Sequence, residues 1–414
     1  MKILLVHELY RQPGGEDYVF HAEKELLLAA GHRVSEFTRR NEEIVTDGFW
    51  SKASIGIRTS WAWDSAGMLR TVLRKEDPDI VHFHNTFPLI SPAAYYVCRE
   101  AGVRVVQTLH NYRLLCPSGA FFRSGKICQE CMSHSLLRSV RYSCYRDSRP
   151  ATAAVAFMLR LHKSLKTWFE MVDKYIAPTD FVRQKYLEAG LPTGKIAVKP
   201  HFVHLDPGVR KGEGEYALFI GRLAAEKGVR TLLEAWNFLE SKVPLRIVGD
   251  GPLRLELETQ RNLAQFSDVR FEGWLSSRPL RAMMQRAAFL ICPSEWYECV
   301  PLTLLEAFAC GLPVIASRLG AMAEVVEDGR TGLHFTAGDA RDLASRVEEM
   351  WTRRERLVSM GRQCRLEYEA KYTPEQSYRA LMDIYRDVVQ VGDSGKKSSA
   401  MPAAAVGQGF PIGS

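Results

Sequence analysis

The sequence predicts an α/β protein of two doubly wound parallel sheets, and three observations carry that expectation. Short apolar runs of strand length alternate with amphipathic runs of helix length along most of the chain. The alternation restarts once, after a stretch at 202–215 rich in Gly, Pro and charge, which reads as a hinge. At 414 residues there is chain enough for two full cores.

The first unit opens on the apolar run 2–7, read as a buried parallel strand; it is too short for a secretory segment and is followed at once by charge. Then come a helix at 16–30, a strand at 33–37, a helical region to 75, a strand at 80–84, a helix at 93–101 and a strand at 103–109. A cysteine-bearing insertion occupies about 113–148. Beyond it lie a helix near 153–169, a strand at 174–177, a helix at 181–188 and a strand at 196–200. The second unit has strands at 216–221, 245–248, 269–272, 289–292, 314–316 and 332–335, then helices at 340–351, 355–369 and 374–389. Domains are therefore expected at 1–205 and 206–373, with a last helix at 374–390. The remainder, 391–414, is rich in Gly, Ser, Ala and Pro and is expected to be disordered.

With 46% hydrophobic and 25% charged residues, the composition is that of an ordinary soluble protein, and a net charge of +7 is too mild for a nucleic-acid binder. No run is long enough to span a bilayer, so a cytoplasmic chain is expected. Between Ser135 and Glu170, Arg138, Arg141, Arg146, Arg149, Arg160, Lys163 and Lys166 face only Asp147 and Glu170, beside an apolar run at 153–159. Two readings stand: a peripheral contact with anionic lipid, or a solvated helix face backed by a buried one.

The densest chemistry lies at 293–311. It reads as a strand end, a loop and a short apolar helix, with Pro301 suited to its first position and Gly311 to the residue past its end. Leu302, Leu305 and Ala309 recur at core-facing spacing. Glu306 falls inside the apolar run, where a carboxylate needs a partner. Glu298 precedes the helix and can address whatever sits at its N-terminus, around Leu302 and Thr303, where an anion is favoured. Two carboxylates flanking a phosphate-sized positive pole suit a nucleotide-sugar; the plainer reading is two salt-bridged or solvated glutamates.

Other turns support the first reading. Gly221, Arg222, Lys227 and Gly228 follow a strand, placing two cations at its carboxyl end, where open α/β sheets bind ligands. Gly249-Asp250-Gly251 and Gly273-Trp274 also follow strands. In the first unit, Gln12-Pro13-Gly14-Gly15-Glu16 joins a strand to a helix and allows backbone amides to approach a ligand. His82, His84, His110, Asn111, Thr179 and His201 stand at or near strand ends on the same side. Of nine cysteines, Cys98, Cys292, Cys299, Cys310 and Cys364 read as small buried hydrophobes. Cys128-Gln129-Glu130-Cys131 is a knuckle of the kind that grips zinc, flanked by Cys116 and Cys144. With one knuckle instead of two, a structural zinc and four free thiols both stand as readings.

The 293–311 stretch, with its Pro-Leu-Thr-Leu-Leu-Glu core, resembles the signature of glycosyltransferase family 4, retaining sugar transferases of the GT-B fold. That resemblance spans roughly 2–389 and implies two facing Rossmann-like domains, the last helix crossing back to the first. It implies that Glu298 contacts the donor sugar, Glu306 binds the ribose diol, and Arg222 and Lys227 grip the diphosphate. It also implies that the loop at Gly273 and Trp274 holds the base and that His110 lies near the transferring sugar. Gly15 is then at the donor–acceptor junction, and His84, Asn111, Thr179 and His201 line the acceptor side. Two departures stand out: Arg318-Leu319-Gly320-Ala321 lacks the usual double glycine, and many relatives have asparagine where this chain has His201. The expected activity is metal-independent transfer from a UDP- or GDP-type sugar to a hydroxyl acceptor, be it a glycan, a lipid-linked glycan in surface polysaccharide assembly, or a small molecule. No catalytic cofactor is expected, the leaving phosphate taking the acceptor proton. Rival readings are a phosphorylase, a nucleotide-sugar epimerase, or a nucleotide-sugar binder without catalysis.

Overall fold

Strand residues such as Ile3, Leu4, Leu5 and Val6 have no more than 1% of their surface exposed, because both faces of their sheet are covered. The computed structural model describes residues 1–11, 14–44, 49–264 and 266–398. Its strands are β1 (Lys2–Leu9), β2 (Arg33–Arg40), β3 (Ile80–Phe83), β4 (Arg104–Thr108), a small hairpin β5 (Phe122–Arg123) and β6 (Lys126–Ile127), then β7 (Lys174–Ala177) and β8 (Ile196–Val198). The second set is β9 (Tyr216–Ile220), β10 (Leu245–Val248), β11 (Val269–Gly273), β12 (Ala287–Cys292), β13 (Val314–Ser317) and β14 (Gly332–Phe335). Two parallel six-stranded sheets result, ordered β2-β1-β3-β4-β7-β8 and β11-β10-β9-β12-β13-β14.

Strand order reverses between β1 and β3 in the first sheet and between β9 and β12 in the second. In open α/β sheets the crevice beyond the carboxyl ends at such points is where ligands bind. The loops after β1, β3, β9 and β12 are therefore the positions that topology reserves for chemistry, and they carry Gly15, His84, Arg222 with Lys227, and Glu298 respectively.

Several boundaries differ from the sequence reading. β2 runs on to Arg40 because Thr38, Arg39 and Arg40 pair with His7, Glu8 and Leu9. The helix expected near 153–169 is two, Arg149–Ser164 and Thr167–Glu170, broken where Lys166 takes a left-handed conformation, φ 53°. The last helix runs Pro374–Ser398, so 391–398 is helical where a disordered tail was expected. Its packed first part supplies the nucleus, from which propagation costs little. Residues 399–414 lie outside the described residues. Leu381, Met382, Tyr385 and Val388 of this helix pack with Ile3, Leu5, Phe20 and Ile176, so it roots in the first domain. The two stretches linking the domains touch: the Val203 amide donates to the Tyr372 carbonyl at 3.0 Å.

Beneath the first domain's cleft lies a buried ion pair. Lys199 Nζ donates to Glu23 Oε1 at 2.6 Å and to Ser377 Oγ of the last helix at 3.2 Å, with Lys199 and Glu23 side chains 1% and 0% exposed. Burial alone would raise the Glu23 carboxyl; the Lys199 ammonium overcomes it and the net shift is downward. Lys199→Met leaves a buried carboxylate unpaired and is expected to cost about 3–5 kcal/mol, most of it recovered in Lys199→Met/Glu23→Leu. Urea unfolding of the three variants checks this; a double variant as unstable as the single would sink it.

Candidate active site

One wall of the cleft forms where the loops after β9 and β12 cross. Gly228 (φ +66°) has Pro293 O only 1.8 Å from where a Cβ would sit, so only glycine admits the crossing. This close approach brings Lys227 Nζ to 2.6 Å from Glu298 Oε1 and over the Trp296 ring, 5.3 Å from its centroid. Ser294 Oγ donates to the same carboxylate oxygen at 2.8 Å. Glu298 is 6% exposed, held by two donors. Arg222 is largely exposed at the loop rim, ion-paired with Glu226.

The helix that follows is Leu302–Ala309, with Pro301 as the residue capping it (φ −70°, ψ 122°) instead of the first helical position. Gly311 ends it with φ +65°. Leu305 and Ala309 are core residues as expected, but Leu302 is half-buried and faces the other domain: its Cδ1 lies 3.6 Å from where a Cβ on Gly15 would be. The core positions next to it are Leu304, Ala307 and Phe308. The Glu306 carboxylate accepts no hydrogen bond among the described residues; burial pushes its carboxyl up to about 7, against the opposing pull of Arg281. Its charge in turn acts on Tyr18 of the helix Gly15–Ala29, across the cleft.

The glycines after β10 serve backbone packing. A Cβ on Gly249 would lie 2.0 Å from Gly221 O, and one on Gly251 2.5 Å from Leu223 O. Asp250 is mostly exposed, its Oδ1 accepting from the Gly251 amide. Gly273 closes β11 and Trp274 is 75% exposed at the rim.

On the opposite wall the histidines form a column. His84 Nδ1 is 3.0 Å from His110 Nε2, and the His110 and His201 rings stack at 5.2 Å. His82 is fully buried, hydrogen-bonded to Tyr385 and Thr108, and supports the column from below instead of lining the cleft. Burial, reinforced by neighbouring imidazoles and Lys199, holds His84 and His110 well below the usual range, and His201 falls to about 3 by burial and then Lys199. These imidazoles are neutral at pH 7 and act as hydrogen-bonding groups, not cations. Thr179 has a structural part as well: its hydroxyl caps the helix Asp180–Glu188 and donates to Cys299 O of the second domain at 3.4 Å. Asn111 is committed too, donating to Glu16 and accepting from the Arg113 amide. Gln12 and Pro13 lie outside the described residues.

Sequence reasoning passed over Glu16, whose carboxyl burial pushes up to about 7 against donation from Tyr10, and which also accepts from Asn85 and Asn111. It also missed Ser294, Arg281 and Glu324; the last receives the Asp180 and Phe181 amides across the domains at 2.8 and 2.7 Å. Topology alone, through the β1/β3 and β9/β12 reversals, could have found the first two. The Asp-x-Asp at Asp77-Pro78-Asp79 stands before β3, at the end of the sheet away from the cleft, with Asp77 and Asp79 both bonded to Lys2. The four cysteines Cys116, Cys128, Cys131 and Cys144 line one small cavity, apart from the cleft.

Two facing doubly wound domains with a fixed carboxylate and cations at the strand-order reversal of the second define a GT-B sugar transferase. The glycosyltransferase family 4 model matches residues 13–207 and the glycosyl transferases group 1 model matches 214–353, together most of the chain. The chain belongs to the family 4 glycosyltransferases. An uncharacterized glycosyltransferase of Methanocaldococcus jannaschii is 25% identical over 52% of this chain and 60% of its own length. The alpha-maltose-1-phosphate synthase of Mycobacterium tuberculosis is 33% identical over 42% of this chain and 48% of its own. The O-antigen chain mannosyltransferase C of Escherichia coli is 26% identical over 42% and 47%. The chain thus spans about half the length of the curated relatives it matches, 60% of the first. Among solved structures, Anabaena HepE in complex with UDP covers 94% of this chain and all of its own at TM-score 0.67 and 16% identity. The sucrose-phosphate synthase of Thermosynechococcus elongatus covers the same shares at 0.69 and 19%. At those identities the likeness concerns the fold. No helix among the described residues is long and apolar enough to cross a membrane.

The Glu306 carboxyl has a folded value of about 7 against 4.5 for the free group, so the folded state binds the extra proton between these pH values. Stability is then fullest below the unfolded value and falls as pH rises toward 7, by on the order of 1–3 kcal/mol. Glu306→Gln is expected to flatten that decline. Urea midpoints at pH 5 and pH 8 check it; an unchanged pH slope in the variant would remove Glu306 as its source.

Proposed function

We propose that this chain is a retaining, metal-independent glycosyltransferase that moves a sugar from a nucleoside diphosphate donor to a hydroxyl acceptor. The observation that carries the reading is the Lys227–Glu298 contact at the β9/β12 reversal, 2.6 Å long and three-quarters or more shielded from solvent. In this reading Glu298 holds the hydroxyls of the donor sugar, while Lys227, Arg222 and the N-terminus of the helix Leu302–Ala309 take up charge on the departing diphosphate. Such fixed donors aimed at developing charge are the largest electrostatic contribution a site of this kind makes. Glu306 accepts from the ribose diol, and its raised carboxyl value means that the diol recovers the lost solvation of the ionised form. The neutral His110 offers a hydrogen bond to the transferring sugar. No protein base is needed where the departing phosphate oxygen receives the acceptor proton on the same face.

A UDP-type donor is favoured by HepE, solved with UDP and with UDP-glucose. A lipid-linked glycan acceptor is favoured by an open apolar groove on the first domain, lined by Ile57, Trp61, Trp63, Phe157 and Leu161. Trp63, Ile57 and Phe157 are 59–64% exposed there, and Arg160 and Lys163 stand exposed on the helix that carries Phe157. Apolar anchors beside cations suit an anionic membrane surface holding such an acceptor.

A nucleotide-sugar panel scored by thermal shift and then by transfer tests the reading. Lys227→Ala and Glu298→Gln are each expected to lower transfer about 10²–10³-fold, and Glu306→Ala to weaken nucleotide binding about tenfold or more. Full activity in all three overturns the assignment. Conversion of donor without acceptor would instead identify an epimerase, and binding without turnover a silent nucleotide-sugar binder.

A further inference from the structure

A second group of reactive side chains lies in the 113–148 insertion, which packs on the first domain's core through Cys116 and Phe121 but has little regular structure of its own. Its regular structure is the hairpin β5–β6 and two short helices, Glu130–Ser133 and Leu137–Arg141. A segment with so little regular structure is a usual place for a covalent or metal staple. The backbone is also unusually constrained. Phe121, Ser124, Ser143, Arg146 and Asp147 have φ of 49–54°, five of eight such non-glycine residues described in the chain. Conformations of this kind persist only where the surroundings fix them.

Four cysteines from four places in this segment surround one cavity of about 10 Å³, room for a single water-sized sphere. Cys116 ends the turn that begins at Tyr112, Cys128 follows β6, Cys131 is in the first helical turn after it, and Cys144 follows the helix Leu137–Arg141. All four thiols are free. Glu130 shares the lining, but its carboxylate is engaged by Arg123 and Arg138. That leaves a sulfur donor set, the set that selects zinc. The surroundings suit a thiolate cluster. Ser118 Oγ is 3.2 Å from Cys116 Sγ, and Arg123 and Arg138 line the same cavity to offset excess negative charge.

The sulfurs are more widely spaced than in a closed tetrahedral site. Among the described residues, the group with ligand atoms all within 4.8 Å of one another is Glu23, His82 and His84 instead. That trio already has the Lys199 ammonium 2.6 Å from its carboxylate, which disfavours a second cation. No such cation faces the thiols unpaired, and Zn–S bonds of about 2.3 Å would draw them inward.

We propose that Cys116, Cys128, Cys131 and Cys144 bind one zinc-class divalent cation, and that the ion holds the donor loop in place through Gln129. Four metal–sulfur bonds form, four thiol protons are released to solvent, and no electron is transferred. Gln129 stands between the knuckle cysteines; its Nε2 donates to Tyr297 OH at 3.3 Å, and its Oε1 accepts from Lys185 at 3.4 Å. Tyr112, whose carbonyl receives the Cys116 amide at 2.9 Å, belongs to the buried cluster against which Tyr297 and Cys299 pack. Tyr297 and Cys299 bracket Glu298. This positioning role rests on the Glu298 reading above; the metal does not.

Metal analysis of the full chain, purified with reductant and without chelator, is expected to give one zinc per chain. Its release should follow titration of four thiols by an organomercurial. Replacement by cobalt should produce a thiolate-to-cobalt charge-transfer band, absent in Cys128→Ser and present in Cys98→Ala. Should Cys128→Ser fail to fold, cobalt titration of the unaltered chain carries the test. A metal-free native chain that gives no such band, or a disulfide among the four in non-reducing peptide mapping, overturns the metal site. Gln129→Ala is expected to keep its zinc and raise the donor KM about two- to tenfold. An unchanged KM overturns the positioning role alone, whereas no turnover in the unaltered chain strikes the glycosyltransferase reading and leaves the metal result standing.

Discussion

The Lys199–Glu23 ion pair is the constraint on which the first domain's cleft depends. A lysine and a glutamate with almost no exposed surface persist only because each satisfies the other, and their 2.6 Å contact joins the first helix, the end of β8 and the last helix. From that point the histidine column rises: His82 and His84 lie 3.7 and 3.4 Å from the free Glu23 oxygen, His110 next, then His201. The positive charge beneath them reinforces burial in keeping the imidazoles neutral. A wall of neutral, hydrogen-bonding rings is compatible with an uncharged sugar and acceptor, where a row of imidazolium ions would compete for the diphosphate.

The second domain solves a different problem, bringing two loops close enough for Lys227 to meet Glu298. It does so by deleting side chains. Gly228 lets its loop pass against Pro293, and Gly249 and Gly251 let the loop after β10 press on Gly221 and Leu223. The glycines common in these turns therefore act as spacers between backbones and permit the side chains beside them to converge. Glu306 shows the same economy: a buried carboxylate left without a protein hydrogen bond costs stability to the free chain.

Much of this was legible in the sequence because the period of apolar residues reports parallel strands directly, and because Pro301, Gly311 and Glu306 lie within one short run. The two-sheet architecture and family membership followed from that. What escaped was set by distant contacts. Thr179 reads like a cleft residue, yet its hydroxyl is spent on a helix cap and on Cys299 O, 120 residues away. Leu302 has core spacing but faces the other domain, since helical periodicity cannot say which domain lies opposite. Glu16 and Glu23 are ordinary helix glutamates by pattern; only the reversal of strand order between β1 and β3 places the first at a cleft. The helical continuation to Ser398 through Gly392 and Gly395 was hidden by composition.

The chain crosses between its domains twice, and the crossings are stitched together where the Val203 amide meets the Tyr372 carbonyl. Side by side, the two tethers fix where the domains meet, and Leu302 at the start of its helix sits against Gly15 across the gap. The facing of the two walls is thus set by the route of the polypeptide, before any ligand contributes.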